Sequence, residues 1–153
     1  MAKRIVSMIG LLILSALLTG ALTAAAPGPV PNVTFTLVSG LPSTMNVGDT
    51  ATVVVQVDSD QEFLFAQMLP AFYFPGRGLM AENMGGDRVQ NSTSATLKIT
   101  FVAKGTTADF PNEGACPTGG VAPVAFVAGV RYAGGAVVSQ RFPATGYYCV
   151  TVP

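Results

Sequence analysis

Three stretches of this chain alternate apolar and polar residues one by one, and that alternation constrains the fold more than any other feature. In "NVTFTL" Val33, Phe35 and Leu37 share a face, with Thr34 and Thr36 opposite. In "ATVVVQV" Ala51, Val53, Val55 and Val57 share a face, with Thr52 and Gln56 on the other. In "ATLKITFV" Leu97, Ile99 and Phe101 oppose Thr96, Lys98 and Thr100. Side chains on a strand point alternately to its two faces, so each stretch reads as a strand with a buried and a wet side. Past the leader no stretch has helical spacing.

Further strands follow from turn chemistry. "VAGVRYAGGAVVSQRF" (Val127–Phe142) places Gly134-Gly135 between two strand-like runs, and paired glycines supply the positive φ of a two-residue hairpin turn. A final strand, Tyr147–Val152, follows the turn Pro143–Gly146. With the aromatic run at 63–74 the count is about seven strands, which favours an all-β antiparallel sandwich. The segments 75–94 and 104–120 read as long loops, and loops of that length are functional or mobile.

The beginning of the chain reads as an address. Lys3 and Arg4 precede the apolar run Ile5–Leu18, and small residues follow through Ala26. That is a secretory signal peptide over residues 1–25, with cleavage expected near Ala24–Ala26. The alternative is a retained anchor, but the run is shorter than the ~20 residues that span a bilayer. "LLTGA" (Leu17–Ala21) approximates a lipoprotein box with Ala21 where the lipidated cysteine would stand, so no lipid anchor is expected. "APGPVPN" (26–32) reads as a proline-rich arm, and 33–153 as one domain. The expected product is secreted, extracellular or cell-surface, with no membrane contact after the signal is removed.

Removing the leader takes away two of eight basic residues and none of the eight acidic ones. No basic run is left, so nucleic acid is not an expected partner. In an exported chain the two cysteines, Cys116 and Cys149, read first as one disulfide, with two free thiols as the alternative. Closing a loop of about 34 residues stabilises a fold by roughly 3–4 kcal/mol in the chain-entropy model.

"NVGDTATVVVQVDS" (Asn46–Ser59) resembles the early strand of immunoglobulin-like modules in prokaryotic surface and secreted proteins, where a Gly-Asp turn leads into an alternating Val/Thr strand. "GYYCVTVP" (Gly146–Pro153) resembles the closing strand of such a module. The resemblance implies an immunoglobulin-like sandwich rather than any activity. It is not of antibody type. The chain has no tryptophan to pack on a core disulfide, Cys116 lies in a Gly/Pro-rich loop, and only four residues follow Cys149. Tyr147, two places before Cys149, is either a tyrosine corner or an ordinary strand aromatic.

The chain contains no histidine, so neither a Ser-His-Asp nor a Cys-His arrangement can be built, and no enzyme activity is expected. No cofactor is expected either, with one candidate metal. Asp58, Asp60 and Glu62 alternate, and on a regular strand would offer oxygen ligands to Ca²⁺ from one face; the alternative is a solvated strand end. Asp109 and Glu113 form a lesser acidic pair. In "EFLFAQMLPAFYFPGRGLM" (Glu62–Met80) Phe72, Tyr73, Phe74 and Arg77 are candidate ligand-binding residues. The competing reading is a central strand broken or bulged at Pro70. Asn32 and Asn91 head glycosylation sequons.

Two functions compete. The first is a non-catalytic structural module of a surface layer or filament, partnered by itself or other surface proteins. In it Val33, Phe35 and Leu37 would insert as a strand into a neighbour's sheet rather than complete their own. The second is a glycan- or ligand-binding immunoglobulin-like module.

Overall fold

The computed structural model describes residues 29–72, 78–82, 88–111 and 115–153. The chain is all-β, with no helix among the described residues: β1 (Val33–Ser39), β2 (Thr50–Phe72), β3 (Leu79–Ala81), β4 (Arg88–Ala103), β5 (Ala122–Arg131), β6 (Val137–Phe142) and β7 (Tyr148–Val150). Every strand–strand pairing is antiparallel. The expected signal peptide and the start of the expected arm lie outside the described residues.

β2 organises the rest. It is 23 residues long, uninterrupted by glycine, and carries its one proline near its end. β4 follows one edge of it for most of its length, pairing 94–102 with 50–58 and 88–92 with 63–67. The other edge is shared: β1 pairs with 54–59 and β5 with 65–72. β6 continues outward from β5, β3 from the end of β4, and β7 pairs with the start of β5. Hydrogen bonds therefore join all seven strands into one network. The sequence suggested separate strands at 51–57 and 63–74, divided by "DSDQE". Instead β2 passes straight through, because nothing in that polar stretch forces the backbone to stop.

The polar stretch is absorbed as a bulge. Asp58 pairs with Ser94 and Phe63 with Ser92, so four residues of β2 stand against the single Thr93 of β4. Bulges bend and twist a strand. Asn91, beside this point, has φ 50°, a region that asparagine tolerates better than most residues. Buried side chains from both sides of the bend form one core. Val53, Val55, Val57, Leu97, Ile99 and Phe101 come from one side, and Met68, Phe126, Ala128 and Val130 from the other. This is consistent with sandwich-like layering. A second irregularity, a one-residue slip between Pro70 and Phe72, falls where Pro70 removes a ladder donor.

Two expected details change. The β5–β6 turn is not a two-residue turn at Gly134-Gly135. Tyr132 N donates to Ala136 O at 2.9 Å, Gly135 N donates to Tyr132 O at 2.9 Å, and only Gly135 takes a positive φ (85°). This is a three-residue loop ending in a left-handed glycine. The segment 75–94 is not all loop, since it contains β3 and the start of β4.

Two of the fastenings that hold the long 104–120 segment to the β7 end stand out among the described residues. One is the disulfide Cys116–Cys149, Cα atoms 5.9 Å apart. The other is Thr107, the one buried polar residue among those described. Its hydroxyl donates to Gly120 O (2.7 Å) and accepts from Val152 N (2.9 Å), while its own N–H reaches Val152 O (2.9 Å). A buried hydroxyl is costly unless paired, and here both of its roles are used.

Candidate functional sites

β1 lies along half of one edge of β2 and, among the described residues, takes no other ladder partner. Val33 and Phe35 pack against the core, as their alternation predicts, but only half-buried. Leu37 (38% exposed) and Val38 (64%) face solvent. The strand's start is clamped: Asn32 N and Nδ2 donate to the two oxygens of Asp60 (3.0 and 2.8 Å), and Asp60 N donates to Asn32 O (3.1 Å). Beyond its far end, Leu41 and Met45 are buried, Met45 N reaches Thr151 O and Thr151 N reaches Ser43 O. Gly40 stands between strand and anchored loop, and a Cβ there would come within 3.1 Å of the Tyr148 ring.

The acidic stretch does not converge. Asp58 accepts from Ser94 Oγ (2.7 Å) and Gln56 Nε2 (3.2 Å) on the β4 side, whereas Asp60 turns to Asn32. Asp58 and Asp60 are each engaged with a different flanking strand, β4 and the start of β1, so the acids do not form one ligand set. Among the described residues no group of three or more acidic, Cys or His side chains is placed to hold a metal. Asp109 lines an open cleft of about 570 Å³ with Lys104, Thr106, Thr107 and Phe110, while Glu113 lies outside the described residues.

The aromatic stretch divides. Phe63 is in the core, Phe65 faces outward, and Phe72 packs on Tyr147 with ring centroids 4.7 Å apart. Tyr73, Phe74 and Arg77 lie outside the described residues. Arg141 is stationed over Tyr147 at 5.0 Å and donates to Pro143 O and Gly146 O (2.7 and 2.5 Å). Tyr148, the other tyrosine of the pair, stacks on Phe126, and burial raises its pKa above the ordinary tyrosine value. Of the sequon asparagines both are exposed; the Asn32 amide is held by Asp60.

The outward faces of the two halves differ sharply. Around the first half of β2 the face is a polar ladder: Thr52 with Thr100 (3.0 Å), Gln56 with Thr96 (2.8 Å), Asp58 with Ser94. Across β2, β5 and β6 it is instead an apolar trough of about 330 Å³, bordered by Phe65, Leu69, Val127, Val137 and Arg131. Gly129 opens it, since it pairs with both Gln67 and Ser139 and brings no side chain to the middle row. Arg88 lies over the Phe65 ring, 4.2 Å from its centroid. Sequence reasoning missed this site. Its signal was an isolated glycine inside "APVAFVAGVR", which marks a bulge or a close approach of another group.

No protein-family model matches the chain, immunoglobulin-like modules included. No curated protein matches it either. Among solved structures it is similar to the crystal structure of a DUF4466 family protein from Parabacteroides merdae, with a TM-score of 0.44 and 15% identity. That likeness covers 80% of this chain and 46% of that one, so the chain spans less than half of that protein's length.

Proposed function

We propose that this protein is a non-catalytic, secreted structural module, a subunit of a cell-surface layer or extracellular filament whose copies join by exchanging β1. One observation carries the reading. β1 is attached to the body through one edge of β2, contributes two half-buried side chains, and ends at a glycine beyond which the chain is anchored afresh. It can therefore leave as a unit about Gly40 without unseating Leu41 or Met45. An identical β1 from a neighbour would make the same ladder and fill the same places, so exchange costs little in contacts. The proline-rich arm before it suits a spacer, being stiff and unable to join a ladder fully. The disulfide fits a chain that folds in an oxidising compartment.

The test is the size and shape of the secreted form without reductant, by light scattering and negative-stain microscopy. Ladders or fibres that vanish when residues 27–40 are deleted support exchange, and a clean monomer at all concentrations overturns it. A double substitution, Thr34→Cys with Asp58→Cys, reports the partner directly, because these exposed residues face each other across β1 and β2. Exchange yields a ladder of covalent oligomers on a non-reducing gel, whereas self-pairing yields only cross-linked monomer.

A further inference from the structure

We propose that the trough on the outer face of β2, β5 and β6 binds a carboxylate-bearing sugar, a uronic acid unit of an extracellular polysaccharide. The proposal is independent of strand exchange, since β1 contributes nothing to this face.

Charge is the first argument. Three adjoining rows cross the face: Leu69–Val127–Arg141, Arg88–Gln67–Gly129–Ser139, and Gln90–Phe65–Arg131–Val137. They contain three arginines and no acidic residue, in a chain whose secreted part has only six basic residues. Arg141 is committed to backbone carbonyls, but among the described residues neither Arg88 nor Arg131 has a carboxylate partner. A guanidinium offers a planar fork of donors that a carboxylate matches two bonds at a time.

Shape and surface chemistry are the second. The trough is apolar, with Val137 65% and Leu69 44% exposed, and it stands where the other half of the same sheet keeps a closed ladder of hydrogen bonds. Exposed apolar side chains gathered beside guanidinium groups suit a ligand with one apolar and one charged side. About 330 Å³ is at the small end of the range for small-ligand sites, suited to one or two rings. A stable protein partner needs roughly 800 Å² of surface from each side. Two available guanidinium groups are also too few for a nucleic acid, whose binding rests on many phosphate contacts. A pyranose uronate matches the site: an apolar C–H face for Leu69 and Val137, a hydroxyl for Ser139, and a carboxylate for Arg131 or Arg88.

The test is calorimetric titration of the secreted form with galacturonate, glucuronate and mannuronate oligomers, alongside neutral cello-oligosaccharides and a poly-glutamate peptide. Binding of at least one uronate oligomer is expected, weakening with salt, with neutral sugars and the peptide bound at least tenfold more weakly. Arg131→Gln and Arg88→Gln should each weaken it about tenfold. Gly129→Val should abolish it by filling the trough; a Cβ at 129 would lie 3.4 Å from Ser139 Cβ, an ordinary contact, and an unchanged melting curve checks the fold. The exposed arginine variants keep the test valid if the valine disturbs β5. Absence of uronate binding, equal binding of neutral sugar or peptide, or full affinity in both arginine variants would each overturn the proposal.

Discussion

Tyr148 lies on Phe126 with ring centroids 5.4 Å apart and planes 6° from parallel, and Phe126 in turn stacks on Phe142 at 5.8 Å. This column joins β7, β5 and β6, and the Tyr148 rim also sets how close Gly40 can approach. Burial disfavours the charged phenolate, so the folded protein holds the Tyr148 proton to higher pH than the unfolded chain does. The folded state then binds more protons than the unfolded state above the ordinary tyrosine pKa of about 10. Stability from this source is complete below that pH and is lost as pH rises through the raised value. Urea denaturation between neutral pH and strongly alkaline pH should show wild type losing more stability than Tyr148→Phe, which keeps the stack without the hydroxyl. Equal losses would contradict this.

Gly78 occupies a position that tolerates no side chain. Its φ is +77°, and a Cβ would lie 2.5 Å from the Thr107 methyl. Its carbonyl also accepts from Lys104 N (2.7 Å). Gly78→Ala should cost about 1–3 kcal/mol in chemical denaturation. Thr107→Ser removes the methyl and keeps the hydroxyl, so the same alanine in that background should cost less by about 1 kcal/mol. Strict additivity would show that the backbone angle alone is responsible.

Thr107 itself should be among the most sensitive polar positions. Thr107→Val removes the buried hydroxyl from Gly120 O and Val152 N, and the loss should be about 2–4 kcal/mol. The 104–120 segment should become more open to limited proteolysis, most of all with the disulfide reduced, because both fastenings hold that segment to the β7 end.

Asp60 holds the start of β1 through three hydrogen bonds to or from Asn32. The site is exposed, so Asp60→Ala should cost only about 0.5–1.5 kcal/mol globally. Locally it should speed amide exchange across residues 33–39, with β5 unaffected. If β1 exchanges between copies, the same variant should reach its oligomeric distribution faster by light scattering.

Local pattern and global course were not equally legible. Alternation located β1, the first half of β2 and the second half of β4, because one buried face leaves a period of two in the residues themselves. The disulfide Cys116–Cys149 followed from an even pair of cysteines in a chain whose start reads as a signal peptide. The continuity of β2 did not follow. "DSDQE" has the polarity of a turn, and only its pairing opposite Thr93 shows that it is extra length stored in a bulge. Alternation likewise promised a carboxylate cluster, but Asp58 bonds toward β4 and Asp60 toward Asn32. The roles of Thr107 and Gly129 were not legible for another reason, although the isolated glycine itself was a signal. One acts through partners 13 and 45 residues away, and the other through a side chain it does not have.

β1 runs antiparallel to β2, with five residues in one register from Val33 opposite Ser59 to Leu37 opposite Val55, before a slip that sets Ser39 opposite Val54. Ladder hydrogen bonds of this kind lie across the strand axis. A pull directed along that axis therefore strains all the bonds together, whereas a pull directed away from the sheet breaks them in turn. Copies linked by this strand and drawn along its length would resist tension as a glued lap joint does, and would peel easily when bent.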